Sequence, residues 1–256
     1  MEHHGAGTLP SRSQELYHCK SSSELAGYLL DNLALREVHI SVSIPNSLPE
    51  ASMNIVDLIY GVLAMDSGFT RWGFESASVS RKKNSDNTTL IFKVSYFTTL
   101  EEDNAARSAA AAIVKEMELG KKLSDRDKVE ILRAFITNNW RYDKSLENFT
   151  ANSTFSSGKG TCLGFALASQ LILDEMGILS QTVHGKVDGI QGTHIMLLVK
   201  LGDYWHTFDP TELANDNPVP LAYLGQCFPA NFSPDKEYLT SAFMANFPMG
   251  SFPAAS

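Results

Sequence analysis

The chain has 256 residues, 43% of them apolar and 20% charged, with a formal net charge of −8. That length allows one large domain or two small ones, and the composition excludes a wholly disordered chain. The Lys and Arg residues are scattered, densest at Arg81-Lys82-Lys83, so no basic face offers itself to nucleic acid, and no apolar stretch reaches the length of a membrane span.

Residues 1–20 are rich in Gly, Ser and His without periodicity and read as a flexible lead-in, with no signal-peptide apolar core in Met1 to Gly7. Ser23 can cap a helix carrying Leu25, Leu29, Leu30 and Leu33; Glu37 to Ile44 then alternates as a half-buried strand, closed by Pro45. A second helix is expected from Pro49 to Met65, with Ile55, Leu58, Ile59, Val62 and Leu63 on one face and Gly68 as its breaker. Strands near Trp72–Ser80 and Thr88–Phe97 flank a polar hairpin connection, giving a small αβαββ unit. An alanine-rich helix over Asn104–Glu118, ended by Leu119-Gly120-Lys121-Lys122, completes a first unit spanning 21–120.

The second unit, 121–217, opens on Ser124-Asp125-Arg126-Asp127, a capping-box variant, followed by the stripe Val129, Leu132, Phe135 and Ile136. After Trp140-Arg141-Tyr142-Asp143, a Ser/Asn/Thr-rich loop of about fifteen residues leads to Gly158-Lys159-Gly160-Thr161-Cys162 and an apolar helix with Gly177 as its C-cap. Three strands follow: Ser180–Val187, Thr193–Leu201 and Tyr204–Asp209. If Gly202 and Asp203 form a two-residue turn, Leu201 pairs with Tyr204, and His194 and Asp209 become diagonal neighbours on one face. Residues 218–256, rich in Pro, Phe and Ala, read as an irregular tail packing on the core.

Cys162 sits where first-turn N–H groups lack intrahelical partners and carry the positive end of the helix dipole, an environment that favours a thiolate and can hold an oxyanion. Gly158 and Gly160 leave room for a substrate backbone near the sulfur. With His194 as base and Asp209 orienting it, the three make a nucleophilic constellation, although each alone is more often structural: a buried cysteine, a strand histidine, a turn-forming aspartate. Gly160, Thr161 and Trp140 are further candidates for the oxyanion or substrate loop. Cys19, Cys162 and Cys227 form no CxxC pair, and His184 and His206 lack ligand spacing towards Cys162 or His194, so neither metal nor cofactor is expected.

Gly158 to Ala166, Gly177-Ile178, Tyr204-Trp205-His206-Thr207-Phe208-Asp209-Pro210-Thr211 and Tyr142-Asp143 together resemble the transglutaminase-like superfamily, over about residues 120–215. The resemblance implies an α+β protein with a papain-like core and a triad of Cys162, His194 and Asp209. It also implies acyl transfer on amide bonds of a protein or peptide, as protease, amidase or cross-linking enzyme. An upstream tryptophan acts on the oxyanion in true transglutaminases, which is what suggests Trp140. The αβαββ unit resembles, more weakly, the region before this domain in bacterial, often cell-surface, members, so a secreted or surface location follows from resemblance alone. Two departures stand out: His194-Ile195-Met196-Leu197 replaces the usual His-Ala-Trp-Asn, and Leu163 stands where an acidic residue is frequent. Met196 and Leu197 motivate the alternative of a non-catalytic binding or scaffold module on the same fold.

Overall fold

The computed structural model describes residues 16–65, 69–117, 123–214, 224–225 and 228–239. The lead-in before residue 16, the helix stop at Gly68, the boundary near residue 120, Cys227 and the tail phenylalanines 243, 247 and 252 lie outside them. The described residues fall into two compact units, one drawn from Met1–Leu63 and Glu75–Ser95, the other from Ala64–Phe74 and Tyr96–Ser256. Among them no helix is long and apolar enough to cross a membrane.

In the first unit, β1 (Tyr17–His18) runs parallel to β2 (His39–Pro45), a pairing that gives structure to the end of the expected lead-in. Helix α1 (Ser22–Ala34) buries Leu25, Leu29 and Leu33, one per turn. Of three consecutive serines it is Ser21, not Ser23, that caps it. The Ser21 hydroxyl accepts from the Glu24 amide at 3.2 Å, and the Glu24 carboxylate reaches back to the Lys20 amide at 2.8 Å. The single helix expected from Pro49 divides into a 3₁₀ turn, Pro49–Ala51, and α2 (Ile55–Leu63). Asn54 makes the break, its side-chain oxygen accepting from the Val56 amide at 2.8 Å. Trp72 lies not on a strand but on α3 (Phe69–Gly73), which belongs to the second unit; there its indole N–H donates to Thr182 at 3.2 Å, a tertiary contact that local propensity does not reveal. Strands β3 (Phe74–Lys83) and β4 (Asn87–Tyr96) complete a sheet in the order β1-β2-β4-β3, with Ile40, Val42, Ile44, Leu90, Phe92 and Val94 buried.

The second unit contains α4 (Leu100–Glu116) and α5 (Asp125–Asn139), both begun by capping boxes, Thr99 with Glu102 and Ser124 with Asp127. Strand β5 (Arg141–Tyr142) leads to α6 (Ala151–Ser157), a helix inside the expected loop, capped by Thr150 and ended by Gly158. Then come β6 (Lys159–Gly160) and α7 (Cys162–Glu175). Residues Gly164 to Leu173 of α7 are all buried, so this is the central helix. It closes in a Schellman motif: the Gly177 amide bonds the Asp174 carbonyl and the Ile178 amide the Leu173 carbonyl, with Gly177 at φ +76°. Ala106 and Ala110 of α4 are buried in the same core as Phe165, Leu171 and Ile172 of α7.

That core rests on an antiparallel sheet. β7 (Ser180–Val187), β8 (His194–Leu201), β9 (Tyr204–Phe208), β10 (Leu224–Gly225) and β11 (Phe232–Pro234) stand in the order β10-β9-β8-β7-β11, with short α8 (Pro210–Leu213) after β9. Ile195, Leu197, Val199 and Phe208 join the α7 core, whereas Val183, Val187, Met196, Leu198, Trp205 and Phe232 form a separate cluster. Alternation along β8 thus assigns Met196 and Leu197 to opposite faces, both fully buried. The fold is α+β, with the cysteine helix packed on an antiparallel sheet.

Candidate active site

Cys162 is the first residue of α7. Its preceding loop is pinned from two directions. The short parallel pair of β5 and β6 sets Tyr142 opposite Gly160, and the Asp143 amide donates to the Gly160 carbonyl at 2.9 Å. The Thr161 amide donates to the Asn148 carbonyl, also at 2.9 Å. The segment carrying Asn148 is in turn wound around the Asp143 carboxylate. That group accepts from the Asn148 amide (2.9 Å) and side chain (2.8 Å), the Ser145 hydroxyl (2.7 Å) and amide (3.0 Å), and the Glu147 amide (3.1 Å). The Asn148 amide foremost, then the Ser145 hydroxyl, hold the Asp143 carboxyl well below the usual carboxylate range.

The candidate loop residues have structural work of their own. Thr161 caps α7, accepting from the Gly164 amide at 3.3 Å. Gly160 turns inward: a Cβ there would lie 2.8 Å from the Phe165 ring and 2.9 Å from the Thr154 hydroxyl, so its lack of a side chain serves packing rather than substrate approach. Trp140 is 2% exposed, stacked on Phe165 at 5.3 Å and edge-on to Phe135, which places its ring in the core. Among the described residues, no acceptor meets the Cys162 or Leu163 amide, while the Phe165 amide bonds the Thr161 carbonyl.

The β8–β9 hairpin sets the other two groups. Leu201 pairs with Tyr204 across Gly202-Asp203, the register that brings His194 and Asp209 to one face. His194 Nε2 lies 2.7 Å from Asp209 Oδ2, and the second carboxylate oxygen accepts from the Thr211 amide at 2.9 Å, making Asp209 the N-cap of α8 as well. His194 is 3% exposed and Asp209 0%, whereas Cys162 is half-buried, the least enclosed residue of the three. Burial, the largest influence on His194, opposes charge on the ring. Hydrogen bonds to Asp209 and to Cys162, with their charges, overcome it and raise the imidazole from 6.5 to about 10. Since Nε2 is held by Asp209, Nδ1 is the nitrogen left for the thiol. Burial, then the charges of Cys162 and Asp143, push the Tyr142 phenol up, so it stays protonated beside the sulfur.

Among the described residues, Cys19 and His206 stand apart from this group. Cys19 is 2% exposed, its thiol pushed up to about 11 by burial and by Glu24. His206 pairs with Val199, on the face opposite His194, and among the described residues no cluster of three or more His, Cys, Asp or Glu is arranged to hold a metal. Sequence reading gave no role at the site to Asn148, Tyr142 or Phe232, whose ring stands 6.4 Å from that of His194 at 82°. The signal for the first was present in the turn formers Asp143, Ser145 and Asn148, set close together after Tyr142.

Residues 111–210 match the model of the transglutaminase-like superfamily. This stretch is a transglutaminase-like domain. It begins within α4 and takes in Cys162, His194 and Asp209. Among solved structures, the chain is similar to a TGase at 15% identity and a TM-score of 0.39, over 76% of this chain and 59% of that one. It is similar to a candidate cysteine protease from Cytophaga hutchinsonii at 17% identity and 0.38, over 59% and 68%. A candidate protease from Parabacteroides distasonis gives 13% and 0.26, over 66% and 39%. The chain thus spans less than two thirds of the TGase it resembles. No curated protein matches it.

Proposed function

We propose that the transglutaminase-like domain is a thiol-dependent acyl-transfer enzyme acting on amide bonds of a protein or peptide, with Cys162 as nucleophile, His194 as base and Asp209 as its orienting carboxylate. The observation that carries this is the buried His194–Asp209 hydrogen bond of 2.7 Å, made by an imidazole that also feels Cys162, a partly buried thiol at the N-terminus of α7. With Nε2–H donating to Asp209, Nδ1 is free to take the thiol proton. The sulfur attacks the carbonyl carbon, forming the C–S bond as the carbonyl π pair moves onto oxygen, for which the Cys162 amide at the start of α7 is a candidate donor. The oxyanion then re-forms the carbonyl, the C–N bond breaks, and His194 returns its proton to the departing amine. Water or a second amine resolves the thioester, giving hydrolysis or transamidation.

Met196 and Leu197, which motivated the scaffold alternative, are both core residues, and their apolar character follows from burial without reference to turnover. The test is acylation by p-nitrophenyl acetate, read by mass spectrometry. The reading expects one acetyl group on Cys162, none in Cys162→Ala, and slower acylation in His194→Ala; equal rates in wild type and His194→Ala would overturn it.

A further inference from the structure

The segment expected to be irregular tail contains β11, which pairs antiparallel with the sheet edge: Phe232 faces Val187, and Pro234 faces Gly185. Gly185 is itself paired with His194 on its other side. A Cβ at Gly185 would lie 2.3 Å from the Ser233 carbonyl oxygen and 2.8 Å from the tip of the Phe232 ring, so β11 seats where it does because residue 185 has no side chain. The Phe232 ring is 4% exposed, backed by Phe228 at 5.7 Å, and set edge-to-face against His194. Flanking bonds hold the segment in place: Asp188 amide to Asn231 carbonyl (2.9 Å), Asp235 amide to His184 carbonyl (3.1 Å) and Asp235 carboxylate to His184 Nδ1 (2.7 Å).

From this arrangement we infer that Phe232 is a positioning residue for His194, and that β11 is part of the candidate active site rather than a cover for apolar surface. The imidazole is anchored at its Cβ and, through Nε2, by Asp209, which still leaves the ring plane free to rock about the line between those two points. Phe232 removes that freedom and keeps water from the His194–Asp209 bond, which is stronger in dry surroundings. The inference rests on the proposed role of His194 as base, and its test separates the two.

The variants are Phe232→Ala, Phe232→Leu, Phe232→Val and, as a control that thins the same apolar cluster further along β7, Val183→Ala. Two quantities are read: solvent exchange of the His194 Nε2 proton by NMR, and the rate of Cys162 alkylation by iodoacetamide. Phe232→Ala is expected to speed proton exchange at least tenfold and slow alkylation at least fivefold. Phe232→Leu, which keeps apolar bulk, restores both to within about twofold, and Val183→Ala lowers the melting temperature while leaving both unchanged. Should Phe232→Ala not fold, the Leu and Val pair carries the comparison, with Val losing protection and Leu keeping it. Wild-type values in Phe232→Ala, or the same losses in Val183→Ala, would overturn the inference. Wild-type alkylation no faster than in His194→Ala would instead overturn the catalytic reading, while proton exchange still decides whether Phe232 shields the bond.

Discussion

Asp209 holds two partners with its two oxygens, His194 through one and the Thr211 amide through the other, so the carboxylate that orients the ring is itself locked by the turn that follows. Asp209→Asn preserves size and offers a donor where an acceptor is needed, which favours the wrong imidazole tautomer. Acylation of Cys162 by p-nitrophenyl acetate should fall by about 10³–10⁴-fold with little change in fold, as followed by single-turnover kinetics. The raised imidazole has a consequence for stability. A group whose pKa is higher in the folded than in the unfolded state contributes stability that is complete below the unfolded value and lost as pH rises through the folded one. For His194 that window runs from 6.5 to about 10. The difference in melting temperature between wild type and His194→Gln should therefore shrink from pH 6.5 towards pH 10. A difference that grows over that range would contradict charge on the ring.

At the level of elements, the cysteine helix is only as well placed as the loop before it. Asp143 is the hub of that loop, and its bonds transmit to Thr161 through the Asn148 carbonyl. Asp143→Ala should lower the melting temperature and slow Cys162 acylation by about 10–100-fold, the scale expected when a reacting group shifts by an ångström or less. Restoration by Asp143→Asn should be partial at most, because an amide presents one accepting oxygen where the carboxylate uses two. What sequence could and could not show divides along physical lines. The β8–β9 register was legible because a two-residue turn fixes pairing and alternation fixes the face, and the Ser124–Asp127 capping box because it is local. Helix α6 was not legible: its sequence, Ala151 to Ser157, has little apolar periodicity, and it is held by the Thr150 cap and by its packing near α7. Strand β11 is three residues long and exists through its partner β7, so nothing in its own composition announces it.

At the scale of the whole molecule, the chain leaves the first unit after Leu63, re-enters it at Glu75 and leaves again after Ser95, so neither unit is a continuous segment. Composition shifts along a sequence do not register such an arrangement. Helices α3 and α4 belong to the second unit, and Phe69, Trp72, Ala106 and Ala110 pack in or against its core. A fragment of residues 121–256 would therefore expose the α7 face that α4 covers. It should be unfolded or aggregated by circular dichroism and sedimentation, whereas the full chain is folded; a soluble, cooperatively unfolding 121–256 fragment would contradict the assignment of α3 and α4 to this core.

The reactive pair itself is most directly tested by the rate of Cys162 alkylation with iodoacetamide against pH, in wild type and in His194→Ala, with Cys227 replaced by serine in both. Cys19, buried and with its thiol pushed up to about 11, does not compete. A thiol paired with His194 should react appreciably well below the free-thiol pKa of about 8.5, and His194→Ala should return the profile to that of an ordinary cysteine. Coincident profiles in the two proteins, both rising near 8.5, would show a cysteine that His194 does not activate.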